Sequence, residues 1–333
     1  MKKMVRAGEP ILKQLGFFKQ IQADLKRLET ELHELVETDH PVLQESAVHL
    51  LAAGGKRLRP AFTLLAGQFY DSGAERLFQV AVASELIHMS SLVHDDVVDA
   101  SLTRRGIPTV KAKWSNIASV QTGDYLLAKS LRLIARINHA EVSRILAEVS
   151  VEMCQGEIQQ INYSFDVEQT IKQYYYRIKR KTALLISACC KLGALVSGAP
   201  RRQVWALGAY GHALGMAFQI VDDVLDLTAK PSELGKPVGG DVRQGIMTLP
   251  MILALKQSPE PAPLKALLGN PDKTDAEVEE TIRRIRETGA IEESMRVVDL
   301  YVAKAKQRLQ DLPKVPARRA LEELAEYIGA RSY

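Results

Sequence analysis

The chain has 333 residues, 46% of them hydrophobic, which is enough apolar side chain for one large core or two small ones. Its net charge is +4, with Lys and Arg spread among acids along the length rather than gathered into the basic tract that nucleic-acid binders carry, so no nucleic-acid partner is expected. The three cysteines (Cys154, Cys189, Cys190) form no CxxC pair, "MKKMVRAGEPILKQLGFF" lacks the apolar run of a secretory signal, and no window approaches about 18 uninterrupted apolar residues; a reduced, cytoplasmic protein without a transmembrane segment is expected.

Helical spacing dominates from one end to the other. "GGKRLRP" places Lys56, Arg57 and Arg59 beside Gly54 and Gly55. Glycine lets backbone approach an oxyanion, and Lys and Arg add charge-assisted hydrogen bonds to phosphate oxygens. "LFQVAVASELIHMSSLVHDDVVD" is apolar at Leu77, Val80, Val82, Leu86, Ile87, Leu92 and Val93, and predicts a helix running into Asp95, Asp96 and Asp99. Arg104 and Arg105 follow directly; Lys181, Thr182 and Lys236 add further cationic and polar candidates.

"VWALGAYGHALGMAFQIVDDVLDL" is apolar nearly all round, the pattern of a central buried helix, and it runs into Asp222, Asp223 and Asp226. "DAEVEETIRRIRETGAIEESMRVVDLYVAKAKQRLQDL" carries an amphipathic stripe, opened by a capping box of Thr274 and Glu277. No period-2 alternation or hairpin dipeptide argues for strands. The breakers "GGKRLRP", "KPSELGKPVGG", "QSPEPAP" and "GNPDKTD" are too short to be interdomain linkers. The expectation is a single all-α domain over residues 1–333, a helical bundle of roughly ten or more helices.

The two acidic clusters share one spacing, Asp-Asp-x-x-Asp. On a helix, residues i and i+4 share a face with Cβ atoms about 5–6 Å apart, so Asp95 pairs with Asp99 and Asp222 with Asp226. One such motif is commonly a solvated acidic face. Two copies, each continuing an apolar helix, place carboxylates where unpaired charge is costly, and something cationic must sit between them. Carboxylate oxygen is a hard ligand suited to Mg²⁺, which commonly joins carboxylates to substrate phosphates. A histidine-aspartate metal phosphohydrolase built on His94-Asp95 would need further histidines; His40, His49, His88, His139 and His212 exist, but the repeated aspartate motif would then be idle. A helical scaffold would leave both acid clusters unexplained. The residues alone thus point to a helical bundle holding Mg²⁺ and a diphosphate, with room for a hydrocarbon tail between apolar helices.

"GGKRLRP", "LIHMSSLVHDDVVDASLTRRG", "GDYLLAKSL", "RKTALLISACCKLGA" and "GMAFQIVDDVLDL" closely resemble the trans-isoprenyl diphosphate synthases over about residues 10–333. Within that family, "IHMSSLVHDDVVD" with "KAKWSN" is similar to the large catalytic subunits of two-component synthases that make heptaprenyl (C35) chains. The resemblance implies an isoprenoid-synthase-type bundle with a central cavity and about three Mg²⁺ ions. Asp95 and Asp99 would ligate two ions with Asp96 in support, and Asp222 the third, with Asp223 and Asp226 beside it. Arg104, Lys181, Thr182, Gln219 and Lys236 would contact the allylic diphosphate; Gly55, Lys56, Arg59, His88 and Arg105 would hold the diphosphate of isopentenyl diphosphate. Ionisation of the allylic diphosphate, condensation and proton loss would follow, without a side-chain nucleophile. A full Asp-Asp-x-x-Asp second motif separates the chain from terpene cyclases, and six retained aspartates separate it from a non-catalytic partner subunit.

One departure stands out. The family often has a lysine before "TLP", where "RQGIMTLP" has Ile246. Short-chain members place a bulky aromatic four or five residues before the first aspartate; here those positions are Ser91 and Ser90. The expectation is a product longer than C20, C35 by resemblance, with Met89 or Ile87 as lower-wall residues. Shorter (C15–C20) and other lengths (C30, C40–C50) remain alternatives. The resemblance further implies a small partner subunit (a homodimer being the alternative), farnesyl or geranylgeranyl diphosphate as primer, and a product passed to a membrane for a menaquinone side chain.

Overall fold

The computed structural model describes residues 16–70, 73, 75–229 and 238–330. After a 3₁₀ turn at Gly16–Ile21, the helices are α1 (Gln22–Leu35), α2 (Pro41–Ala52), α3 (Leu58–Gly67), α4 (Glu75–Val98), α5 (Val110–Lys113), α6 (Asn116–Ile137), α7 (Ala140–Asn162) and α8 (Ile171–Ile178). A π-helical turn, Lys179–Ala183, joins α8 to α9 (Leu184–Val196). The rest are α10 (Arg201–Thr228), α11 (Gly240–Gln244), α12 (Leu249–Gln257), α13 (Pro261–Gly269), α14 (Asp275–Glu287), α15 (Ala290–Leu309) and α16 (Pro316–Gly329).

The all-α expectation holds, with one exception among the described residues. Thr103–Arg104 pairs antiparallel with Ile107–Pro108 in a two-stranded ribbon. Its turn residues, Arg105 (φ 54°) and Gly106 (φ 81°), both have positive φ, as a two-residue primed hairpin turn requires. The ribbon is too short to show alternation, so no strand pattern marks it. The C-terminal amphipathic stripe resolves into two helices, because Gly289 adopts φ 79° and breaks the helix between α14 and α15. The capping box at Thr274 and Glu277 forms as read.

Helix α10 is the centre of the bundle, packed against α9, α15 and the π-turn. At Gly215 an added Cβ would lie 2.6 Å from Cα of Ala183, so only glycine lets α10 come this close to the turn. By length and composition α10 could cross a membrane, but 72% of that window is buried among its neighbours, as befits the core helix the sequence predicts. Tyr210, fully buried on α10, meets Phe62 of α3 edge-on at 6.5 Å and donates its hydroxyl to the Leu321 carbonyl at 2.7 Å, tying α3, α10 and α16 together. The other long core helix, α4, packs mainly against α6. Thus α4 and α10, each buried along most of its length, carry the two acidic clusters at their C-terminal ends.

Candidate active site

The last turn of α4 sets the first acidic group. The Asp99 amide donates to the Asp95 carbonyl at 2.8 Å, so helical geometry continues one residue past the helix and keeps both carboxylates on one face. Asp96 points elsewhere: it is 2% exposed and accepts from Arg104 Nε at 2.8 Å and from its Nη2 at 2.7 Å. Asp96 therefore anchors the ribbon's arginine. Burial lifts the Asp95 carboxyl to about 7, with Glu157 and Asp99 adding to the effect against the pull of Lys181. Asp99 is raised for the same first reason.

At the second group the three aspartates divide. Asp223 has both oxygens engaged, Oδ2 by the Tyr174 hydroxyl at 2.7 Å and Oδ1 by the Gln219 amide at 2.8 Å; burial still lifts its carboxyl to about 6. Asp226 accepts the Asp241 amide on Oδ2 at 2.9 Å, and its carbonyl accepts the Gly239 amide at 2.8 Å, fastening the segment that opens α11. Asp222 is half-buried and lies close enough to Arg59 to favour that guanidinium's charge.

The π-turn links the two groups. Lys181 Nζ sits 2.6 Å from Glu157 of α7; burial opposes its charge, but Asp95 and Glu157 outweigh that and its pKa is raised. The next residue, Thr182, donates to Gln219 Oε1 at 2.6 Å, and Gln219 in turn holds Asp223. A π-turn is the kind of local irregularity that re-aims side chains at functional sites. An added Cβ on Gly156 would lie 3.1 Å from the Lys181 amide, so glycine there lets α7 press against the turn.

The "GGKRLRP" basic residues have unlike fates. Arg57, 6% exposed with φ 45°, forks onto Glu29 (2.6 and 3.0 Å) and onto Glu85 (3.0 Å). It is a structural pillar. Arg59 is half-buried with its Nε shut from solvent, and burial lowers its pKa against the pull of Glu85 and Asp222. The Arg105 guanidinium packs over Gly55, where an added Cβ would lie 2.8 Å from Nη1. Gly55 and Lys56 are partly exposed in the loop before α3. His88, on the α4 face below Asp95, is held neutral: burial, then Arg59, Arg105, Arg104 and Arg57, push its pKa well down. Lys236 lies outside the described residues.

Among the chain-length candidates, Ile87 and Met89 are buried. Ser90 is 3% exposed and donates to the Gly123 carbonyl of α6 at 2.8 Å, a helix-to-helix contact. Ser91 is half-buried and bonds within its own helix, to the His88 carbonyl at 2.9 Å. Ile246 is buried, with its amide on the Asp241 carbonyl at 2.9 Å, so no charge replaces the usual lysine there. Three contributors escape the motif reading: Glu157, Tyr174 and Arg177. Buried Arg177 donates to Gln169 Oε1 at 3.2 Å and to the Met247 carbonyl at 2.7 Å, tying α8 to the segment before α12. For Glu157 the available signal was a glycine inside a helical pattern, just before an acid.

Oxygen donors in two groups, with carboxyls lifted by burial and by one another, fit a hard divalent cation. Among the described residues no three acid, His or Cys side chains close into a cage. A divalent cation of that kind can take one or two carboxylates and complete its shell with water and substrate phosphate.

The polyprenyl synthetase family profile matches residues 40–285. Heptaprenyl diphosphate synthase component 2 of Bacillus subtilis is 48% identical over 310 residues, 93% of this chain and 88% of that protein. Among solved structures, heptaprenyl diphosphate synthase from Staphylococcus aureus superposes with a TM-score of 0.89 at 38% identity, over 94% of this chain and 99% of that one. Polyprenyl synthase from Caulobacter crescentus, crystallised with calcium and isoprenyl diphosphate, gives 0.92 at 33% identity, over 99% of this chain and all of that one. With that sequence match over most of its length and that shared fold, the chain belongs to the polyprenyl synthetase family.

Proposed function

We propose that the chain is the catalytic subunit of a long-chain trans-prenyltransferase. It condenses isopentenyl diphosphate with farnesyl or geranylgeranyl diphosphate, repeatedly, to all-trans heptaprenyl (C35) diphosphate. The observation that carries this reading is the π-turn: of two consecutive residues, Lys181 pairs with Glu157 and feels the charge of Asp95, and Thr182 bonds Gln219, which in turn holds Asp223.

Asp95, Asp99 and Asp222 would hold about three Mg²⁺ ions between them. When bound, the metal supplies positive charge to the departing diphosphate, an electrostatic role. Lys181 and Arg104 hold the allylic diphosphate, Arg104 aimed by Asp96 and Lys181 by Glu157. Arg59 and Arg105, with Gly55, Lys56 and neutral His88, hold isopentenyl diphosphate. Asp223, Gln219 and Thr182 form a relay that fixes the turn. The isopentenyl double bond attacks the allylic cation, and the departed diphosphate takes the proton. No protein nucleophile is needed, and buried Cys189, its thiol pushed up to about 11, offers none.

The name component 2 borne by the Bacillus subtilis relative supports a small partner subunit here too. The reading places the enzyme in the cytoplasm, with its C35 product passed to a membrane for a quinone side chain. Asp95→Ala and Asp222→Ala are each expected to lower kcat by roughly 10²–10³-fold with the melting temperature retained. Wild-type incorporation by either variant would overturn the assignment.

A further inference from the structure

Beside Lys179, the first residue of the π-turn, lies a cavity of about 510 Å³ whose lining includes none of the residues the proposed reaction uses. Its size falls within the roughly 300–1,000 Å³ of small-molecule sites. Tyr175 of α8 and Tyr301 of α15 form an edge-on pair along its wall, ring centres 6.2 Å apart. His212 of α10 closes the wall, its imidazole kept neutral by burial and by Lys179. Lys172 and Lys179 stand exposed at the rim, and neither has an ion-pair partner among the described residues. Glu293, the carboxylate that acts on Tyr175, is paired with Arg296. An aromatic wall under two unpaired ammonium groups suits a molecule with an apolar body and an anionic head.

Lys179 is also mechanically placed. It opens the π-turn, its amide bonded back to the Tyr175 and Tyr176 carbonyls, and two residues later the same turn presents Lys181 to Glu157 and Asp95. An anion that draws the Lys179 side chain toward the cavity acts on the turn that aims Lys181.

We propose that this cavity is a second, non-catalytic site for a prenyl diphosphate, and that its occupancy slows turnover through the π-turn. The ligand class rests on the proposed function; the cavity does not. The test is equilibrium binding of farnesyl thiodiphosphate, an unreactive analogue, to the full chain with Mg²⁺, together with initial rates over a wide range of farnesyl diphosphate. The proposal predicts two sites per chain and inhibition at high substrate. Lys172→Glu, on the exposed rim, should weaken the second site about tenfold, as loss of one charge-assisted contact would, and should lift the inhibition without changing the low-substrate rate. Tyr301→Ala should do the same. Inorganic diphosphate alone and farnesol alone should each fail to inhibit through this site, because the wall and the rim act together. One site in the wild type, or two sites and unchanged inhibition in both variants, would overturn the proposal. Turnover at low substrate reports on the catalytic reading separately, so failure of one is distinguishable from failure of the other.

Discussion

The Tyr174 hydroxyl lies 2.7 Å from Oδ2 of Asp223, deep in the bundle, and so gives Asp223 a different environment from the half-buried Asp222 beside it. Tyr174→Phe removes that donor from a buried carboxylate, at a cost of about 1–3 kcal/mol in unfolding free energy. Because the lost bond favoured the charged form, the Asp223 carboxyl rises further above its already lifted value of about 6. The acid limb of the rate profile should therefore move to higher pH. Denaturant melts and a pH–kcat series check both effects.

Arg57 and Arg59 are two residues apart but have opposite tasks. Arg57→Met strands Glu85, which is 3% exposed, and should destabilise the fold by about 3–5 kcal/mol, as breaking one side of a buried ion pair does. Arg59→Met removes a half-buried cation proposed to hold substrate, so its effect should appear in the KM for isopentenyl diphosphate rather than in the melt. A thermal melt and a saturation curve on the two variants distinguish these roles.

The two serines before the first acidic group should also part company. Ser91→Phe puts an aromatic one turn below Asp95, on a half-buried position, and should shorten the product to C15–C20. Ser90→Phe forces a large ring into the α4–α6 contact, where Ser90 reaches the Gly123 carbonyl, and should cost stability of about 1–3 kcal/mol by overpacking. Product chromatography paired with melting temperatures is the check. Equal shortening by both, with equal stability, would show that Ser90 lines the growing chain as well.

Metal removal has a signed pH dependence. Asp95 titrates near 7 in the folded protein against 3.8 in the open chain, so between those values the native state holds a proton that the unfolded state has lost. Its contribution to stability is present below about pH 4 and is lost as the pH rises through 7. Metal-free protein should therefore lose stability from pH 5 to 8 relative to Asp95→Asn, and Mg²⁺ should raise the melting temperature more at pH 8 than at pH 6. The readout is thermal melting in EDTA and in Mg²⁺ across that range.

Much of this was legible in the chain itself, for identifiable reasons. The near-continuous apolar surface of α10 announced a central helix, and the repeated aspartate spacing announced what its end would hold. The capping box at Thr274 forms because its hydrogen bonds are local. Local spacing does not say which member of each cluster faces the cleft. Asp96 is taken by Arg104 and Asp223 by Tyr174, partners set by the ribbon and by α8 rather than by the motif. Glu157 and the π-turn were hidden for the same reason: their pairing joins segments 24 residues apart, and a π-turn has no residue pattern of its own. The break at Gly289 shows a stripe running on through a glycine that ends the helix.

The most direct measurement is product length. The purified chain, alone and with a candidate small partner subunit, is incubated with Mg²⁺, farnesyl diphosphate and labelled isopentenyl diphosphate, and the chains are sized by chromatography. A discrete C35 product in the two-subunit mixture is the predicted result. A product that stops at C15–C20, or no incorporation in either mixture with Asp95 and Asp222 intact, would contradict the assignment.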